Sequence, residues 1–181
     1  MTAAVISTVR GPVTIRPGVE EDAASYRELR LEALQNHPEV YSSDYAHALS
    51  QPMSFWVERL RAGGTGDVAQ MYFARHEQEL VGMCGIYRVD APRTRHSATV
   101  VSLYLRPAWR GLGIAEGLIK TCLDWARSHD VCIVKLAVIT TNAPAIRVYE
   151  RCGFQAYGTE PQAIYYDGVY YDELLMARSI A

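Results

Sequence analysis

No run in this sequence approaches 18 consecutive apolar residues, so a membrane-spanning helix is not expected. The first residues, MTAAVISTVRGP, lack the charged segment and following apolar stretch of a secretory signal, and none is expected. An excess of one charge is missing too: 18 Lys and Arg stand against 20 Asp and Glu, for a formal net charge of −2 and a pI near 6.2. Without a basic footprint a nucleic-acid partner is not expected, and any polyanion must be held by a local site. The four cysteines, Cys84, Cys122, Cys132 and Cys152, form no CxxC pair and have no histidine at ligand spacing, so no metal site is expected. Three of them lie in apolar runs, as small buried hydrophobes do, and a reduced, cytoplasmic compartment fits best. There is no repeat, low-complexity tract or linker. What is present is ordinary globular composition, 49% hydrophobic and 21% charged over 181 residues, enough for one domain with a substantial core.

Residues 1–12 read as a loose lead-in closed by Gly11-Pro12, and residues 13–181 as a single α/β domain. Residues 13–16 alternate as a short strand before Pro17-Gly18. From 20 to 35, Ala23, Tyr26, Leu29, Arg30, Ala33 and Leu34 recur at helical spacing, and Asn36-His37-Pro38 ends the helix. A second helix is expected from Pro52 to residue 60 or 61, capped by Ser50 and broken by Gly63-Gly64-Thr65-Gly66. Strands are read at 69–74, 80–87 and 98–105. The helix at 111–129 carries Ala115, Leu118, Ile119, Cys122, Leu123 and Ala126 on one face and Glu116, Lys120, Asp124 and Arg127 off it, so one side packs on something apolar. A strand at 132–139 follows, then a helix from 143 or 145 to 151 with Gly153 as its left-handed cap. Runs at 154–157, 163–166 and 169–176 close the chain, with Asp167-Gly168 as a tight turn between two aromatic-rich segments.

The most informative stretch runs from Leu103, Tyr104 and Leu105 through Pro107 to Arg110-Gly111-Leu112-Gly113-Ile114-Ala115-Glu116. A buried strand enters a short loop, and a glycine-bearing turn opens an amphipathic helix. Helix starts leave amide N–H groups without partners, and the helix dipole favours an anion there. Gly111 and Gly113 carry no side chains, so phosphate oxygens can approach the backbone, and the geometry suits a pyrophosphate. The turn lacks the Gly-Lys-Ser/Thr ending of a P-loop, and the chain has no GxGxxG. Taken alone, glycine before a helix also serves as a plain structural cap.

These residues resemble the GNAT family of N-acetyltransferases, whose Arg/Gln-x-x-Gly-x-Gly/Ala signature is carried here by Arg110, Gly113 and Ala115. A second block, Asn142 through Ala145 and Tyr149 to Gly153-Phe154, looks like the family's Asn-x-x-Ala-x-x-x-Tyr-x-x-x-Gly-Phe segment. The resemblance covers roughly residues 13–178, with its specific motifs at 103–116 and 142–154. It implies a single-domain acyl-CoA N-acyltransferase fold, a mixed and mostly antiparallel sheet flanked by helices. It implies acetyl-coenzyme A as cosubstrate, its pyrophosphate on the amides of Gly111, Leu112, Gly113, Ile114, Ala115 and Glu116 beside Arg110. The backbone of Leu103, Tyr104 and Leu105 would pair with the pantetheine arm. Asn142 would cap its helix and hydrogen-bond that arm, with Ala145 alongside. Tyr149, two turns on from Asn142 and on about the same helical face, would donate a proton to the departing thiolate. The Leu105 N–H would stabilise the oxyanion.

A carboxylate base on the strand at 98–105, common in relatives, is missing. Asp44 and His47, both expected in a solvated loop that connects helices, Glu160 and Tyr104 are the remaining candidates, unless the amine binds neutral or loses its proton through water. Tyr165, Tyr166, Tyr170 and Tyr171 flank the last turn, where they line an acceptor pocket, meet a second subunit or stabilise the hairpin. Tyr41, Tyr45, Phe55 and Trp56 either wall a pocket or close the helices onto the sheet. No cysteine is placed by motif as a nucleophile, which favours direct attack by a primary amine in a ternary complex. The alternative is a non-catalytic acyl-CoA-binding sensor. The acceptor, a small molecule or a protein N-terminus, is not written in the chain. Homodimers are common among proteins it resembles, and nothing in its residues establishes one.

Overall fold

The β-branched runs zip onto one another in the computed structural model, which describes residues 4–64 and 67–180. Eight strands make one sheet: β1 (Ala4–Thr8), β2 (Gly11–Pro17), β3 (Ala69–His76), β4 (Glu79–Arg88), β5 (Ser97–Leu105), β6 (Ile133–Ile139), β7 (Gln155–Tyr166) and β8 (Val169–Ser179). Their order is β1-β2-β3-β4-β5-β6-β8-β7. Every neighbouring pair is antiparallel except β5 and β6. One face carries α4 (Ile114–Ser128) and α5 (Ala143–Arg151), the other α1 (Ala23–Asn36), α2 (Tyr45–Ser50) and α3 (Met53–Gly64). The core therefore has two layers. Leu118, Ile119, Cys122 and Trp125 of α4 seal one against Val81, Cys84 and Val134. Tyr26, Leu29 and Leu34 of α1 and Trp56 of α3 seal the other against Phe73 and Met83. These are the inward faces that the 3.6-residue and two-residue periods require.

Several expectations need correction. The loose lead-in is partly a strand: β1 pairs with β2 from Ala4–Ile15 to Thr8–Gly11, across a turn where Gly11 has φ +105° and Thr8 Oγ1 donates to the Gly11 carbonyl. Residues 1–3 lie outside the described residues. The strand is short and Val5 is 64% exposed, so it has little apolar alternation to read; Gly117 of α4 leaves the space that Ile6 fills. Asp44 and His47 belong not to a loop but to α2, where Asp44 Oδ1 caps the helix by accepting from the His47 amide at 2.7 Å. Ser50 does not cap α3. It ends α2, its hydroxyl donating to the His47 carbonyl. Gly63 and Gly64 stay inside α3, while Thr65 and Gly66 of the expected break lie outside the described residues. The runs at 154–157 and 163–166 are one strand, β7, interrupted by irregularities at 156–158 and 160–164.

Two turns follow their sequence signals. Asp167 (φ 48°) and Gly168 (φ 80°) make the two-residue hairpin between β7 and β8. At the end of α5, Phe154 N–H reaches the Tyr149 carbonyl and Gly153 N–H the Glu150 carbonyl, with Gly153 at φ 81°. That reciprocal pair defines a Schellman cap and fixes where the chain turns back into the sheet.

Candidate active site

The parallel pairing of β5 and β6 is brief, from Ser97–Ile133 to Thr99–Lys135. Beyond it the strands diverge, and a cleft of about 620 Å³ opens between them. A bulge helps: Ser102 and Leu103 together oppose Cys84 of β4, and Ser102 adopts φ 58°. After the bulge, Leu105 sits opposite Gly82, and Arg106 N–H reaches the Val81 carbonyl at 3.0 Å. This makes Leu105–Gly82 a non-hydrogen-bonded pair, so the Leu105 N–H and carbonyl point away from β4 and toward the gap. Gly82 is required there, because a Cβ would overlap the Leu105 side chain.

At one end of the cleft stands the start of α4. A 3₁₀ turn at Pro107–Trp109 leads to Gly111 (φ 74°) and Gly113 (φ 77°), the latter being the helix N-cap. The first intrahelical bond is Gly117 N–H onto the Gly113 carbonyl, so the amides just before it lack helical partners. A Cβ at Gly111 or Gly113 would meet nothing within 4 Å. Left-handed backbone, not crowding, calls for glycine there, and the space above stays open for a ligand. On the opposite wall Asn142 Oδ1 caps α5 by accepting from the Ala145 amide at 3.2 Å, and Ala145 and Val148 present the helix to the cleft.

Side chains make the other end. Tyr41 donates its hydroxyl to the Leu103 carbonyl at 3.2 Å. Burial, partly offset by Arg30, pushes its phenol up to about 12. Tyr104 donates to Glu32 at 2.9 Å and accepts from Asn36 at 3.4 Å, while Arg106 holds the second Glu32 oxygen. Arg110 Nε donates to the Leu105 carbonyl and Nη2 lies 3.0 Å from His37 Nε2. A guanidinium only donates, so that imidazole nitrogen accepts and the ring proton sits on Nδ1, toward Glu39 at 3.9 Å. Arg151 is paired with Glu116 at 2.6 Å.

The cleft thus gathers Leu103, Tyr104, Leu105, Arg110, Gly111, Gly113, Ile114, Ala115, Glu116, Asn142 and Ala145 on its walls. Leu112 turns its side chain into the core beside α4. Tyr149 is not among the residues lining the open cleft. It is 7% exposed, its ring edge-on to Phe154 at 6.0 Å, and its hydroxyl has no hydrogen-bond partner among the described residues. Burial raises its pKa strongly, with Cys84 and Tyr41 adding to the effect, so it holds its proton throughout the neutral range. Of the four candidate bases only Tyr104 lines the cleft. Asp44 and His47 serve α2, and Glu160 faces Glu173 across β7–β8, where burial, reinforced by the Glu160 charge, raises the Glu173 pKa. Tyr165 and Tyr170 are cross-strand partners with ring centroids 4.8 Å apart.

Sequence reasoning missed His37, Glu39, Arg147 and Arg151, all of which line the cleft. Arg147 and Arg151 were readable as an i, i+4 basic pair on one face of α5. His37 and Glu39 carry no local signal, because only the packing of α1 against β5 brings them there.

Residues 26–154 match the family model described as the acetyltransferase (GNAT) family. Over 171 residues the chain is 30% identical to the L-amino acid N-acetyltransferase AaaT of Escherichia coli K12, covering 92% of this chain and 97% of that protein. It is 32% identical over 146 residues to a mycothiol acetyltransferase of Acidimicrobium ferrooxidans, covering 78% of this chain and 42% of the relative. The chain spans less than half the length of the mycothiol acetyltransferases it matches. The fold recurs in the Salmonella typhimurium protein yncA, solved with its cofactor acetyl-CoA, at a TM-score of 0.82 and 19% identity over 93% of this chain and 94% of that one.

Proposed function

We propose that this chain, which belongs to the GNAT acetyltransferase family, transfers an acetyl group from acetyl-coenzyme A to an amine. The observation that carries the reading is the cleft between diverging β5 and β6, closed at one end by the unpartnered amides that start α4. An anion seated on those amides lays a thioester arm along Leu103 and Leu105, whose edge has no neighbouring strand to pair with.

Within this reading the neutral amine attacks the thioester carbon directly, forming the N–C bond while the carbonyl oxygen takes up negative charge. The Leu105 N–H, turned to the gap, stabilises that oxyanion. The C–S bond then breaks, and the thiolate takes a proton from Tyr149, whose buried phenol is protonated at neutral pH. The proton lost by nitrogen leaves through water and restores the tyrosine. Asn142 and Ala145 hold the arm from the α5 side, and the backbone from Arg110 to Glu116 holds the phosphates, while the Arg110 guanidinium stays engaged by the Leu105 carbonyl and His37. Tyr104 is already engaged by Glu32 and Asn36, and it braces the wall. The four free cysteines suit a reducing, cytoplasmic setting.

Supplying the purified protein with acetyl-coenzyme A and a panel of amines tests this directly. Release of free thiol, with an acetylated product detected by mass, is the expected result. Coenzyme binding without thiol release would make the chain a sensor, and no binding by calorimetry would remove the cleft from consideration.

A further inference from the structure

Behind the Tyr41 side of the cleft, α1 buries a cation with no counter-charge. Arg30 is 8% exposed. Its guanidinium lies 4.5 Å over the Tyr41 ring, Nη2 donates to Ser43 Oγ at 3.2 Å, and Nη1 is sealed without any partner. No ion pair to Arg30 exists among the described residues, and the other full charge acting on it is a second cation, Arg59 of α3. Arg59 stacks on Phe55 at 5.4 Å and likewise has no carboxylate partner among the described residues. Loss of water on burial, aggravated by Arg59, pulls the Arg30 guanidinium below its ordinary range. In the same layer the Trp56 Nε1 is another sealed donor with no acceptor.

The two guanidinium groups meet aromatic rings and a serine hydroxyl, and neither has a carboxylate partner among the described residues. A buried, half-satisfied cation destabilises a fold, and a helix needing only packing at position 30 would do better with leucine or methionine. The missing component is an anion, and a carboxylate matches the planar fork of a guanidinium. Tyr41 connects this cation to the cleft: its ring lies under the guanidinium, its hydroxyl rests on the Leu103 carbonyl, and it lines the cleft. Ser43, the partner of Arg30 Nη2, is itself exposed at the surface.

We propose that Arg30, assisted by Ser43 and Arg59, anchors the carboxylate of the acceptor, so that the amines acetylated in this cleft are amino acids or other amines bearing a carboxylate. The proposal rests on the acetyltransferase reading. The carboxylate end seats against α1 and α3, and the amine end reaches past Tyr41 to the thioester. Arg30 is a specificity residue that takes no part in bond making.

Initial rates with L-amino acids, ω-amino acids and the matching carboxamides test it. The wild type favours each acid over its carboxamide by roughly 100-fold in kcat/KM, carried by KM, as expected when a buried charge is paired only by the right substrate. Arg30→Met removes that preference while acetyl-coenzyme A affinity and the carboxamide rates stay unchanged, and Arg30→Lys restores part of it. Should Arg30→Met fail to fold, Arg59→Gln supplies the second reading: a smaller rise in KM for acids alone. Equal losses on acids and carboxamides in either variant, or a wild type indifferent to the carboxylate while still releasing thiol, overturn the anchor and leave acetyl transfer standing. Absence of thiol release with every amine overturns both.

Discussion

At the α4 end of the cleft the groups that face a ligand are main-chain amides held open by Gly111 and Gly113, whereas at the Tyr41 end they are side chains delivered by α1, the turn after it and β5. The first arrangement is set by φ angles within six residues. The second depends on hydrogen bonds between residues more than 60 positions apart, such as Tyr41 to Leu103 and Tyr104 to Glu32. Backbone amides offer a fixed grip on any phosphate ester, while side chains on separate elements can be exchanged one at a time. Under the proposed function, a chain built this way would keep its donor and vary its acceptor.

The sharpest way to break that contrast is Gly113→Glu. A side chain at φ 77° costs about 1–2 kcal/mol of conformational strain, and the new carboxylate occupies the anion seat. Calorimetry should find acetyl-coenzyme A binding abolished, while the melting temperature falls only slightly because no neighbour lies within 4 Å. Next in size is Tyr149→Phe, expected to lower kcat by roughly 100-fold with coenzyme affinity little changed. An unaltered kcat under chemistry-limited conditions would take Tyr149 out of the reaction.

Tyr41→Phe probes the side-chain end. It removes the hydroxyl bonded to the Leu103 carbonyl, and acceptor KM should rise several-fold without an effect on coenzyme binding. It also has a pH signature. The Tyr41 phenol is raised to about 12, so the folded state holds its proton more tightly than the unfolded chain. The resulting stability is complete below pH ~10 and fades as pH rises through about 12. Denaturation curves between these limits should be flatter for Tyr41→Phe than for the wild type; identical slopes would mean the phenol is not buried in solution. The smallest effect on activity belongs to Asp22→Asn, far from both ends. Burial opposes the Asp22 charge, but hydrogen bonds from Arg16 and the Val19 amide outweigh it and hold the pKa below its usual value. Loss of that charge should lower stability by about 1–2 kcal/mol, read as a lower urea midpoint, with kcat/KM preserved. The wild-type contribution should likewise vanish as pH falls below the usual carboxylate range.

Local chemistry explains which parts were legible in advance. Asp167-Gly168, the Gly153 cap and the Asn142 cap each act through their own few residues, and each stands where the sequence put it. β1 was missed because a five-residue strand with an exposed Val5 has almost no pattern of its own. The six residues of α2 escaped for the same reason, since Asp44 looked like loop until its cap partner was in view. Arg30 was readable as an inward position of α1 but not as a cation without a partner, because the missing acid is a property of every element packed around it. Tyr149 is the intermediate case: its place on α5 follows from spacing, yet its burial against Phe154 follows from the turn beyond it.

The short seam between Ser97–Thr99 and Ile133–Lys135 has a mechanical consequence. Within the sheet, β1 through β5 and β6 through β8 are two leaves paired along only three residues, with the α4 core packed across both, so under the proposed function a coenzyme arm lying between them would add a further stitch. Occupancy should therefore slow amide exchange on both leaves at once, including β8, which lies on the far side of β6 from the cleft.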